Sequence, residues 1–209
     1  MKPPSNQWEI MPMFSTPLYV AGDIITPSIL NHIKELKYID DIAKYNGACT
    51  ESQTVLDDCI ELKAIVEKHL NFFAHGELSI DRKHRLRHTC SWATRHLNGD
   101  SAHNHSHAHS VFSGVIYIQC NDNSGRISFH NDTNHPTYIT PNLMPKLNEQ
   151  TILNSSEWTL QPQNGMIVLF PSTCVHSVEE NKSFEHRYSV AFNYWLDGEY
   201  GEFTNKLTL

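Results

Sequence analysis

His103-Asn104-His105-Ser106-His107-Ala108-His109-Ser110-Val111-Phe112-Ser113-Gly114-Val115-Ile116-Tyr117-Ile118 sets four imidazoles at alternate positions and runs straight into an apolar segment. Residues two apart on an extended strand share a face, so the alternation predicts a row of imidazoles along one edge. Neutral imidazole is the commonest metal ligand among side chains and suits iron, zinc, copper and nickel. Two later stretches are expected to meet this one. Gly165-Met166-Ile167-Val168-Leu169-Phe170-Pro171-Ser172-Thr173-Cys174-Val175-His176 carries a lone histidine just after an apolar strand, placed to close a site from across a sheet. Arg187-Tyr188-Ser189-Val190-Ala191-Phe192-Asn193-Tyr194-Trp195 opens with an arginine whose planar fork matches a carboxylate. Taken alone, a histidine-rich tract is also the pattern of an incidental chelating surface. Strand, turn, histidine and arginine in this order are more specific: metal ligands beside a carboxylate clamp.

Composition bounds the rest. A chain of 209 residues is within the range of one domain with a substantial core, and no boundary or repeat divides it. No apolar run approaches the ~20 residues of a membrane helix, and the first residues, Met-Lys-Pro-Pro-Ser-Asn-Gln, lack the apolar segment of a secretory signal. Five scattered cysteines (49, 59, 90, 120 and 174) without a CxxC pair read as reduced thiols in a cytosolic protein. A net charge of −7 argues against nucleic acid as a partner; the partner expected is a small-molecule or protein substrate, and a homodimer is left open.

Along the chain, residues 1–76 read as an N-terminal strand and two helices. MPMFSTPLYV (11–20) suits an edge strand interrupted by prolines. Thr26-Pro27 is an N-cap followed by proline at the first helical position, and Ile29, Leu30, Ile33 and Leu36 carry that helix to about Tyr38. Residues 45–53 lack periodicity and read as loop. Leu56, Cys59, Leu62, Val66, Leu70 and Phe73 recur at steps of three and four, predicting a second helix over 54–75. From residue 77 the pattern turns to short strands, near 78–80, 85–97, 109–119, 125–130, 157–160, 165–170, 174–179 and 187–195, separated by Gly, Asn, Asp and Pro. That spacing argues for a sandwich or barrel. The Pro- and Asn-rich connection 131–157 is long enough to be expected as a lid or recognition segment. Trp92, Phe129, Phe170, Phe192 and Trp195 are expected as core.

The pattern H-x-H…S-G-V-x-Y, then G-x-I-x-F, then G-x-x-x-x-F-P-S…H, then R-x-S-x-x-F-N resembles the 2-oxoglutarate/Fe(II)-dependent oxygenase superfamily. It is most similar to a poorly characterised microbial and phage-encoded branch related to the prolyl and aspartyl hydroxylases, and MFSTPLYV resembles that branch's N-terminal segment. The resemblance spans nearly the whole chain except the 131–157 connection. It implies a mainly β fold with N-terminal helices, a double-stranded β-helix (a cupin-like jelly roll) with residues 1–76 packed on a 77–209 core. It further implies Fe(II), 2-oxoglutarate as co-substrate, O2, and hydroxylation with release of succinate and CO2. Residue by residue, His105 and His176 take the places of the first and distal iron ligands. His107 stands where most members have Asp or Glu, and is expected as the third ligand. His109, Asp132, His130 or water are the alternatives, with His103 nearby or on the surface. Arg187 takes the place of the co-substrate arginine, with Ser189 on its face and Tyr117 offering a phenol to the same carboxylate. A cupin-like metal protein of non-oxidative or ligand-binding type, or a metal-free structural jelly roll, is the competing reading.

Overall fold

The computed structural model describes residues 10, 15–40, 46–131 and 146–209. Residues 11–14 of the expected edge strand and the span 132–145 of the long connection, Asp132 included, therefore lie outside the described residues.

Thirteen strands occur among the described residues: β1 (Tyr19–Gly22), β2 (Tyr38–Asp40), β3 (Ala48–Thr50), β4 (Arg85–His96), β5 (Ala102–His105), β6 (Phe112–Gln119), β7 (Ile127–His130), β8 (Glu157–Leu160), β9 (Met166–Pro171), β10 (Val175–Val178), β11 (Arg187–Asp197), β12 (Glu199–Tyr200) and β13 (Leu207–Thr208). Seven form one sheet in the order β1-β9-β6-β11-β4-β3-β2, and four form a second in the order β5-β10-β7-β8. Every strand pair in both sheets is antiparallel. The two sheets face one another as a double-stranded β-helix, with Tyr117, Val168 and Phe170 of the larger sheet packed against Phe129 and Leu160 of the smaller one.

The outer face of the large sheet is covered by helices α1 (Pro27–Glu35), α2 (Val55–Asp58) and α3 (Ile60–Asn71). Ile29, Ile33, Leu62, Val66, Leu70 and Phe73 bury against Ala93, Ile116, Ile167, Leu169, Val190 and Phe192 in the main core. Period-2 alternation thus divides β11: even-numbered residues from Tyr188 to Leu196 face the helices, while Arg187, Ser189, Ala191 and Asn193 face the sandwich interior. Gly114 makes this packing feasible at the sheet centre, because a Cβ there would stand 2.6 Å from the Phe192 ring and 2.7 Å from Leu169.

Helix α1 begins as its sequence predicts: Thr26 Oγ1 accepts from the Ile29 amide at 3.3 Å, and Pro27 opens the helix. The predicted 54–75 helix has its buried face but is broken at Cys59 (φ −121°, ψ 80°) and ends in a π-helical turn, Phe72–Glu77. Its first turn is tied to the sheet, the Leu56 amide donating to Ser91 Oγ at 2.9 Å. Residues 78–80 are not a strand, and the 45–53 loop contains β3, whose Cys49 pairs with Thr94 of β4. The strand expected over 109–119 begins only at Phe112, as β6, and a separate short strand, β5, precedes it and stops at His105.

Candidate metal centre

The end of β5 decides which histidines come together. His105 pairs with His176 across the β5–β10 ladder, which sets their imidazoles side by side, centroids 4.2 Å apart and planes tilted by 50°. The chain then leaves the strand, yet His107 is returned to the same place because its amide donates to the Ser172 carbonyl at 2.9 Å. Ser172 is itself held, its amide donating to Val111 and its hydroxyl lying 2.8 Å from that of Ser113, which donates to Asn193 Oδ1 at 2.6 Å. His107 stands 5.2 Å from His105 and 5.1 Å from His176, centroid to centroid. His103 and His109 are exposed, and His109 sits in the left-handed region at φ 58°. The expected row of four is therefore a cluster of two plus the distal histidine. His130 belongs to the opposite face of β7, with Nε2 2.8 Å from Ser177 Oγ.

One nitrogen from each of His105, His107 and His176 lies within 4.8 Å of the others. Imidazoles at bond lengths of about 2.1 Å place cis nitrogens about 3 Å apart, inside that envelope. His105 Nδ1 lies 2.7 Å from the His103 carbonyl, and His176 Nδ1 lies 3.0 Å from the Cys174 carbonyl. A carbonyl only accepts, so both Nδ1 atoms carry the proton and both Nε2 lone pairs are free, the arrangement that orients a metal-bound histidine. Burial, then the His105 charge, lowers the His107 pKa to about 4, and the same two causes lead in lowering that of His176 to about 3. Both rings are neutral donors at neutral pH, and the donor set fits a divalent transition metal with imidazole ligands.

Trp92, Phe129 and Phe170, expected simply as core, wall this cluster. Trp92 lies 5.8 Å from His107, Phe170 4.8 Å from His176 and Phe129 5.9 Å from His176. Phe192, by contrast, faces the helices as expected. Farther along the interior face, Arg187 is 2 % exposed. Its Nη1 donates to the carbonyls of Ser124 (3.0 Å) and Gly125 (3.4 Å), and Nη2 to His96 Nδ1 at 2.5 Å. Gly125, at φ 81° with Glu179 O only 2.2 Å from where a Cβ would be, lets the turn bring its carbonyl there. Arg187 Nε has no partner among the described residues, and no carboxylate there bonds the guanidinium. Burial holds the Arg187 pKa below its usual value. Tyr117 is buried on the same face, its phenol pushed up to about 12 by burial. Ser189 is buried too, its hydroxyl 2.7 Å from that of Thr94.

His96 was missed in the sequence. The alternation of Trp92, Thr94 and His96 places it on the interior face, but its link to Arg187 exists only through a register joining residues 91 apart. Burial, then the Arg187 charge, lowers its pKa to about 2.

A pH dependence follows for the metal-free protein. His96, His107 and His176 stay neutral in the folded chain, whereas unfolded histidine takes up a proton below its ordinary pKa of 6.5. The unfolded state then binds more protons, so stability present above pH 6.5 is lost as pH falls towards about 4 to 2. Carboxylates held low by partners, such as Asp23 at about 2, add their loss only below about 4. Thermal melting of the metal-free protein should decline steadily between pH 7 and pH 5. A flat melting temperature over that interval would contradict the neutral, buried histidines.

Residues 90–193 match the family model described as "Putative 2OG-Fe(II) oxygenase". No curated protein is matched in sequence. Among solved structures, the chain is similar to a 2OG-Fe(II) oxygenase family oxidoreductase from Burkholderia pseudomallei, at 13 % identity over 80 % of this chain and 77 % of that one, TM-score 0.55. It is similar to HygX from Streptomyces hygroscopicus, solved with nickel and 2-oxoglutarate bound, at 10 % identity over 86 % and 83 %, TM-score 0.60. A Pseudomonas putida prolyl-4-hydroxylase aligns at 13 % identity over 88 % and 95 %, TM-score 0.52. At such identities the structural likeness speaks for the fold.

Proposed function

Because the chain belongs to the 2-oxoglutarate/Fe(II)-dependent oxygenase superfamily, we propose that it is a hydroxylase whose iron face is His105, His107 and His176 and whose co-substrate clamp is Arg187. Fe(II) with 2-oxoglutarate and O2 supplies oxidation of a C–H bond, the keto acid leaving as succinate and CO2. One observation carries the reading: a buried arginine without a carboxylate partner shares the sandwich interior with three converging imidazoles. A buried cation with no carboxylate bonded to it is costly, the Asp100 charge acting on it only through space, and the distal carboxylate of 2-oxoglutarate is the anion that would complete it.

The chain's own residues divide the work. The carbonyls of His103 and Cys174 hold two imidazoles in the donor tautomer. Trp92, Phe129 and Phe170 exclude water around them and give the substrate's reacting carbon an apolar surround. Ser189 and Tyr117 are buried on the same sheet face as Arg187, Tyr117 remaining a neutral phenol that can donate. Among the described residues no helix is long and apolar enough to cross a membrane, and the substrate proposed is a small molecule or a protein segment.

His107 in place of an acid favours a second reading, a non-oxidative metal protein, because three-histidine faces also hold zinc. Anaerobic addition of 2-oxoglutarate to the Fe(II)-loaded protein separates the two. The expected result is a visible charge-transfer band saturating at one keto acid per iron, followed on aeration by succinate. Metal binding with neither band nor succinate would leave the non-oxidative reading in place.

A further inference from the structure

We propose that His96 is a positioning residue for the co-substrate: it fixes the Arg187 guanidinium through a neutral acceptor and so leaves its charge for a dicarboxylate. This rests on the reading of Arg187 given above. His96 and Arg187 are register partners on β4 and β11, both buried, at 4 % and 2 % exposure. The contact runs from Nη2 to Nδ1. Arginine only donates, so Nδ1 is the unprotonated nitrogen and the ring is uncharged.

The surroundings hold the imidazole in that role. The His96 carbonyl accepts from Asn181 Nδ2 at 2.9 Å, and Gly47 lies so close that a Cβ there would stand 2.8 Å from His96 Cδ2. On the other side of the fork, Nη1 is spent on two backbone carbonyls. All three acceptors are therefore uncharged, and they orient the guanidinium without cancelling its charge. Nε and the second Nη2 hydrogen remain for a ligand. An aspartate or glutamate at position 96 would make the same hydrogen bond but close an internal ion pair, as bidentate arginine–carboxylate pairs do elsewhere.

That contrast supplies the test. Binding of 2-oxoglutarate to the Ni(II)-loaded protein, which needs no turnover, is measured by calorimetry for wild type, His96→Gln, His96→Leu and His96→Asp, with melting temperatures alongside. His96→Gln retains an uncharged acceptor and should bind within a few-fold of wild type. His96→Leu should bind on the order of tenfold or more weakly. His96→Asp should be the weakest binder, while keeping Ni(II) affinity and melting no lower than His96→Leu. If His96 only fills space, relief of a buried cation predicts a more stable His96→Asp protein with unchanged 2-oxoglutarate affinity, and that result overturns the proposal. The Gln and Asp variants decide the matter even if His96→Leu does not fold. Arg187→Met serves as the reference for the premise. Unchanged binding there removes the Arg187 reading itself, whereas loss there with wild-type binding in His96→Asp removes only the role of His96.

Discussion

His105→Ala and His176→Ala proteins should each retain the fold and lose stoichiometric Fe(II) binding, with affinity down by more than about 100-fold. Disturbing merely the groups that orient a ligand costs about 10- to 100-fold in metal affinity, so removal of a ligand should exceed it. These two histidines are the register pair that joins β5 to β10, and each presents Nε2 because its Nδ1 proton is committed to a backbone carbonyl. His107→Ala should weaken iron strongly, and His107→Asp should retain it, since a carboxylate is an oxygen ligand suited to the same ion. His103→Ala and His109→Ala should bind as wild type, because both residues are exposed and outside the cluster. Equilibrium dialysis against Fe(II) under anaerobic conditions, with circular dichroism to check folding, reads all six. Wild-type affinity in either His105→Ala or His176→Ala would sink the triad, and loss in His109→Ala but not His107→Ala would shift it by two residues.

How the four alternating histidines resolve into two shows where sequence legibility stops. Period-2 spacing is local information and was correct for β5, which contains His103 and His105. Nothing local says that the strand ends at His105, or that the Ser172 carbonyl, 65 residues on, recaptures His107. Much of the fold was legible for the same reason in reverse. The capped start of α1, the buried stripe of α3 and the apolar run of β9 are local patterns, and each has its expected face. β3 was invisible because three residues carry no period; they form a strand only where β4 supplies the edge. The aromatic residues were legible as apolar but not as a site wall, since Phe170 and Phe192 differ only in the sheet face each happens to occupy. His96 was illegible on both counts, a lone histidine whose partner is fixed by long-range register.

Arg187→Met should separate metal from co-substrate binding. Hydrogen bonds to charged groups contribute about 1.5–3 kcal/mol each, so losing the two of a bidentate clamp should weaken 2-oxoglutarate by about two orders of magnitude or more. Metal affinity should be nearly unchanged, because the guanidinium contacts His96, Ser124 and Gly125 and none of the three clustered histidines. Stability should move little, because two effects oppose. Removing a buried cation that no carboxylate bonds relieves a desolvation cost, while the carbonyls of Ser124 and Gly125 and the His96 ring lose their donor at a cost of about 1–3 kcal/mol apiece at most. Methionine keeps much of the side-chain volume, so no large cavity adds to that balance. Arg187→Lys should also bind 2-oxoglutarate poorly, since an ammonium keeps the charge but cannot reproduce the planar fork. Pyruvate, which has no distal carboxylate, should bind the wild type weakly and discriminate little between wild type and Arg187→Met. Calorimetry with the Ni(II)-loaded proteins reads these affinities without turnover. If Arg187→Met binds 2-oxoglutarate as tightly as wild type, the arginine is structural, and the buried cation must be balanced by something other than the co-substrate.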